Sequence, residues 1–251
     1  MSNGIPSYVW LCMLLWAFQQ GCAQVNVTTL GIQLKPMIPS KYLGTGTEDA
    51  EVDGLQVHFE PNVGLNFGMV VRRGLTRNWS VESGICMVQR NYTLHFNHPE
   101  LSSEEELRFR FIAYEIPMQA LVFVKLSDRL FMNASAGVSV DLYPSNVESS
   151  SYEFRDTLRF DFYQKTYKQN WIQMALLANY GFEWRTPNKG YFYLGASYHR
   201  PFQPIGTTAV LFELSGDPSR TTTRLGGNYL TADFRYFFNE KPEKRKNKSD
   251  S

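Results

Sequence analysis

Residues 171–202 read WIQMALLANYGFEWRTPNKGYFYLGASYHRPF, and the alternation of their side chains decides the fold. Counted in twos, Ile172, Met174, Leu176, Ala178, Tyr180, Phe182 and Trp184 share one face. Gln173, Ala175, Leu177, Asn179, Gly181, Glu183 and Arg185 share the other. The second limb repeats this, with Phe192, Leu194, Ala196 and Tyr198 against Tyr191, Tyr193, Gly195, Ser197 and His199. A period of two is a strand signal, and Thr-Pro-Asn-Lys-Gly between the limbs is hairpin-turn chemistry. The apolar face carries no charge along either limb and ends in aromatic rings, while the opposite face is polar and rich in small residues. A soluble sandwich turns its apolar face inward. A transmembrane barrel turns it to lipid, with aromatic girdles at both interfaces and a polar lumen.

Outward from the hairpin, similar alternation recurs over residues 29–36, 55–72, 79–96, 107–125, 130–142 and 227–238. With the two limbs this predicts an all-β, eight-stranded, antiparallel up-and-down transmembrane β-barrel, spanning residues 24–238. The connections alternate between long (37–54, 97–106, 143–169, 203–226) and short (73–78, 126–129, 186–190). Short periplasmic turns, long extracellular loops and periplasmic termini are the expected arrangement, in the outer membrane of a Gram-negative envelope. Residues 152–163 within the third long loop suggest a surface hairpin. Outward lists for strands one, two and five to eight contain no Lys, Arg, Asp or Glu. A charge at the bilayer midplane would cost about 2–4 kcal/mol. The second strand is expected to send Val57, Phe59, Pro61, Val63, Leu65, Phe67, Met69 and Val71 outward, with Glu60 and Asn62 inward. In the third strand the apolar phase shifts from Trp79, Val81, Ile85 and Met87 to Tyr92, Leu94 and Phe96, which predicts a β-bulge near residues 88–90. Pro117 predicts a local distortion in the fourth.

Two sets of residues follow. Trp79, Tyr180, Trp184, Tyr198, Phe234, Tyr236 and Phe238 are the expected lipid-facing belt. Arg72, Glu82, Arg90, Glu115, Asp141, Glu183, Asp233 and Arg235 are the expected ionic network of the lumen, with Lys125 as a further cation. Eight strands leave an interior that side chains fill, so a salt-bridged plug is expected rather than a channel.

Net charge is +1, which gives no field for nucleic acid, and the aromatic content of 15% suits interfacial belts. Residues 8–18 (YVWLCMLLWAF) form an apolar run too short to cross a bilayer as a helix, followed by Gly21-Cys22-Ala23, so residues 1–23 read as a signal peptide. Gln19 stands where a lipobox wants Leu, which weighs against lipidation at Cys22. After cleavage Cys86 is alone and can form no internal disulfide. Residues 239–251 read as a charged, disordered periplasmic tail.

Catalytic and metal signals are weak. Gly44-Thr45-Gly46-Thr47 is followed by neither Lys nor helix, so it reads as loop. His58, His95 and His98 would gather toward the extracellular rim, but no carboxylate stands at a spacing that demands a metal. Ser197 and His199 share a face without an acid or oxyanion motif. No catalytic residue, cofactor or metal is assigned.

The segments GIQLKPMIPS (31–40), FGMVVRRGLTRNWSVESGI (67–85), YEIPMQALV (114–122) and YFYLGASYHRPF (191–202) resemble Bacteroidetes outer-membrane β-barrel proteins of the PorT-like class. The resemblance implies location and architecture, and an association with type IX secretion. The expected function is a non-enzymatic accessory or structural subunit of an envelope complex serving secretion or outer-membrane assembly. Its partners would be outer-membrane lipid or lipopolysaccharide and other outer-membrane or periplasmic proteins. A stand-alone surface-binding barrel and a rim-located enzyme acting on lipid or peptide are the alternatives.

Overall fold

Backbone pairing turns the alternation into a closed wall. The structure is a computed structural model and describes residues 27–38, 49–52, 55–98, 103–155, 158–187, 189–214 and 217–239. The expected signal peptide, Cys22, the Gly44–Thr47 run and nearly all of the tail lie outside these. The described strands are β1 (Thr28–Ile38), β2 (Asp49–Val52), β3 (Leu55–Gly74), β4 (Trp79–His98), β5 (Ser103–Lys125), β6 (Leu130–Leu142), β7 (Val147–Arg155), β8 (Leu158–Lys168), β9 (Ile172–Thr186), β10 (Gly190–Pro201), β11 (Gly206–Leu214), β12 (Asp217–Leu225) and β13 (Tyr229–Phe237). Eight of them run β1-β13-β10-β9-β6-β5-β4-β3 and close through β1–β3, every pairing antiparallel. These are the eight strands expected from the sequence.

Strand length separates the barrel into two storeys. β5 has 23 residues, roughly 75 Å at about 3.3 Å each, whereas about 9–11 tilted residues cross a bilayer. In the lower storey the pattern is apolar outside and polar inside. Leu30, Ile32, Leu34, Met69, Ile85, Met118, Met174 and Leu194 are exposed, while Gln33, Glu82, Asn133, Ser135, Asn179 and Thr231 are buried. In the upper storey the pattern inverts. Val57, Phe59, Leu94, Phe96, Leu107, Phe109 and Phe111 are buried in one apolar core with Tyr143, Phe162, Ile205, Val210 and Leu225. No lipid reaches this height, so apolar side chains gain by meeting each other inside, as in a soluble protein.

Several expectations change here. Strand β4 keeps one phase throughout, so Tyr92, Leu94 and Phe96 point inward and not to lipid. The register shift lies instead in β3, between Asn62 and Leu65, where Val63 and Gly64 together oppose Arg90. That extra residue moves Val57 and Phe59 inside and leaves Glu60 and Asn62 exposed. A Cβ at Gly64 would lie 2.4 Å from the Gln89 carbonyl oxygen, so only glycine fits this side of the bulge. Opposite Pro117 the β4–β5 ladder lapses at Gly84 and Ile85, as expected of a residue without an N–H.

The expected long loops are also more ordered than a loop reading allows. Residues 49–52 pair with β3. Residues 97–106 shrink to a connection between His98 and Ser103, because β4 and β5 continue pairing to those residues. Residues 143–169 and 203–226 each form a hairpin, and the two join as a four-stranded sheet, β12-β11-β8-β7. The edge strands of this sheet, β7 and β12, stand beside β5 and β2, and its inner face meets the same core as β3, β4 and β5.

Candidate functional site

Inside the lower storey the lumenal charges form one alternating chain. Lys35 on β1 meets Asp233 on β13 at 3.4 Å, and Asp233 meets Arg235 at 2.7 Å. Arg235 pairs with Glu82 on β4, and Glu82 with Arg72 on β3 at 2.9 Å. Arg72 pairs with Glu183 on β9, and Glu183 with Arg185 at 2.6 Å. Every carboxylate of the chain lies between two cations, so each buried charge is compensated on both sides. Aromatic faces take up further positive charge, with the Arg72 guanidinium 3.9 Å from the Phe237 centroid and that of Arg235 4.8 Å from Tyr193. Asp233 also accepts from Ser197 Oγ at 2.5 Å and Asn179 Nδ2 at 3.0 Å.

A second cluster stands above it. Glu115 on β5 accepts from the Tyr229 hydroxyl at 2.6 Å, from Asn66 Nδ2 at 3.2 Å and from Arg90 Nη2 at 3.2 Å. His199 Nε2 lies 3.0 Å from Asp141 Oδ2 and 3.4 Å from Glu115, and its ring stacks on Tyr229 at 4.5 Å. Ser139 Oγ donates to Asp141 at 2.5 Å. The lower chain holds four cations and three carboxylates, and the upper cluster one guanidinium and two carboxylates. Among the described residues the two clusters together therefore hold five Lys and Arg side chains and five carboxylates.

All eight residues named from sequence as an ionic network lie in this lumen. Lys125 does not, because its ammonium reaches Asp128 in the β5–β6 turn at 3.0 Å. Sequence reasoning left out Lys35, Arg185, His199 and Tyr229. Their inward phase was legible, but the partner of each comes from a strand distant in sequence. The belt residues Trp79, Tyr180, Trp184, Phe234 and Phe238 are exposed on the outer face, with Tyr198 and Tyr236 half-buried beside them. Trp171, Phe192 and Phe202 extend that belt.

Chemically, the upper cluster does not have a nucleophile relay. Ser139 and Asp141 both address Nε2 of His199, whereas a relay needs base and orienter on opposite ring nitrogens. Ser197 and His199 diverge, the first to Asp233 and the second to Asp141. Glu115, Asp141 and His199 bring three ligand-type atoms within 4.8 Å of one another. The space between them is already served by Arg90, Tyr229 and Ser139. At the extracellular end His58 and His95 stand directly opposite each other. His95 spends its two nitrogens on Glu60 at 3.2 Å and Glu106 at 3.4 Å, and the His98 side chain lies outside the described residues.

Little space remains. The lumenal cavity beside His199, Glu115 and Cys86 is about 20 Å³, and that at the lower mouth beside Arg72, Glu183 and Arg185 is also about 20 Å³. Each is room for about one water. The apolar core above them closes the outer end.

A family model described as outer membrane protein beta-barrel domain matches residues 33–205. The chain belongs to this outer-membrane β-barrel family. Among solved structures it is similar to the outer membrane protein OprG from Pseudomonas aeruginosa, at 10% identity and a TM-score of 0.50, covering 88% of this chain and 99% of that one. That likeness concerns the fold. No curated protein matches. The family and the outward apolar belt place this barrel in the outer membrane as an integral protein, with β1 and β13 entering from the side of the short turns.

Proposed function

We propose that this barrel is a non-enzymatic, non-conducting member of its family. It anchors an ordered extracellular sheet in the membrane and works through that sheet as an accessory subunit of a larger envelope assembly. One observation carries the reading: the lumen is filled by paired charges with cavities of about 20 Å³, and above them the four-stranded sheet and strands β3, β4 and β5 share one apolar core that fills the outer end. A barrel that passed solutes would need a continuous polar path. The resemblance to PorT-like proteins supports a secretion-linked complex, and the absence of a relay geometry around His199 supports a role without chemistry. Planar-bilayer recording of the purified protein checks the first half, with no steady single-channel conductance expected. Open-pore steps in the unmodified protein would overturn it. Gentle detergent extraction followed by native mass measurement checks the second half. A stable multi-protein species is expected, and a lone barrel would favour the surface-binding alternative.

A further inference from the structure

On the outer wall, where β3, β4 and β5 emerge from the lipid-facing belt, there is a groove of about 540 Å³ lined by Asn62, Asn91, Thr93, Arg108 and Arg110, with Tyr92 and Phe109 behind them. Its height follows from register. Arg110 lies opposite Asn91 and Arg108 opposite Thr93. Two residues below Arg110 on the same face, Ile112 begins the uncharged outward run that ends at Val124. Both guanidinium groups therefore stand where the hydrocarbon ends and the headgroups of the outer leaflet begin.

The groove is built to present positive charge. Arg110 Nε donates to Asn91 Oδ1 at 3.3 Å, and the Asn91 amide is itself fixed by donation to the Val63 carbonyl at 2.8 Å. That holds the fork by its Nε and leaves both terminal nitrogens of Arg110 without a partner among the described residues. Arg108 is 80% exposed, and among the described residues its guanidinium reaches only Glu106, at 3.5 Å. Asn62 Nδ2 donates to Thr93 Oγ1 at 2.6 Å, which closes the groove on the β3 side. Above the arginines, Glu60 and Glu106 bracket His95, so an anion is favoured at the level of Arg110 and disfavoured higher up. Guanidinium forks take phosphate oxygens two at a time, and basic groups at a membrane surface attract anionic headgroups.

We propose that this groove binds the phosphorylated sugar headgroup of an outer-leaflet glycolipid, with Arg110 and Arg108 on the phosphate and Asn62 and Asn91 against the sugar. The site is independent of the role proposed for the extracellular sheet, and it fixes which side of the barrel wall carries the bound lipid. The test is native mass spectrometry of the full-length protein in detergent, titrated with bisphosphorylated lipid A, with its dephosphorylated form, and with inorganic phosphate. The R108A/R110A protein is compared with R73A/R77A, which removes the same charge at the opposite end of the barrel, and heat-modifiable gel mobility verifies folding of each. Wild type and R73A/R77A should retain lipid A at least about tenfold better than R108A/R110A, the loss expected for one charge-assisted phosphate contact. Dephosphorylated lipid should show no such difference, and millimolar phosphate alone should not displace lipid A. Equal retention by the two double variants, phosphate-independent retention, or full displacement by inorganic phosphate would each overturn the assignment.

Discussion

Glu82 is the residue on which the lower lumen turns. It stands between Arg72 and Arg235, two guanidiniums that reach it from β3 and β13, and it is 4% exposed. The Glu82→Gln variant keeps the shape and removes the charge, leaving both arginines short of one partner in a buried site. Breaking a buried pair from one side costs about 3–5 kcal/mol. The urea midpoint of unfolding in lipid micelles should fall accordingly, and an unchanged midpoint would show that the chain contributes nothing to stability. The inward direction of Glu82 could be read from alternation in the sequence. Arg72 faces it across the hairpin that the short turn at 73–78 announces, but Arg235 could not be read, because it lies 153 residues away and nothing in a period of two says which strands meet across the lumen. The same holds for His199, whose neighbours Asp141, Glu115 and Tyr229 come from three other strands.

The elements show where reading by period works and where it fails. Along β1, β6, β9, β10 and β13 the alternation assigns both faces as the structure has them, because a single environment surrounds each of those strands along most of its length. Along β3 and β4 the solvent changes partway, from lipid to water, and apolar no longer means outward. Tyr92, Leu94 and Phe96 therefore meet the upper core although their apolar character alone points to lipid. The upper storey depends on its own core, so a charge at Phe162, which packs on Phe96 with ring centroids 4.7 Å apart, should loosen the β7–β8 and β11–β12 sheet alone. In liposomes, Phe162→Asp should open residues 143–169 and 203–226 to protease while the barrel keeps its heat-modifiable mobility. The same sheet carries a titratable pair at its edge. The hydrogen bond from Lys165, with another from Tyr163, holds the Glu148 carboxyl below the usual carboxylate range. A depressed acid contributes stability above its unfolded-state pKa and loses it as pH falls through the folded value. Lys165→Met should therefore return the Glu148 titration upward toward an ordinary glutamate, as followed by carboxyl ¹³C shifts.

For the molecule as a whole, silence in planar bilayers is expected to outlast single changes in the charge chain. Glu82→Gln weakens the lower storey, yet Phe123, Phe131 and Tyr191 still close around Arg185 at the lower mouth, and the apolar core still closes the top. Closure itself depends on the final strand. β13 hydrogen-bonds β1 on one side and β10 on the other, and it brings Asp233 and Arg235, the two links that join Lys35 to Glu82. Until that strand docks, a half-built wall in the membrane holds Lys35 without its carboxylate and Glu82 with one guanidinium instead of two. Shutting the cylinder and neutralising its interior are thus a single event, and a nascent barrel gains little from stopping one strand short.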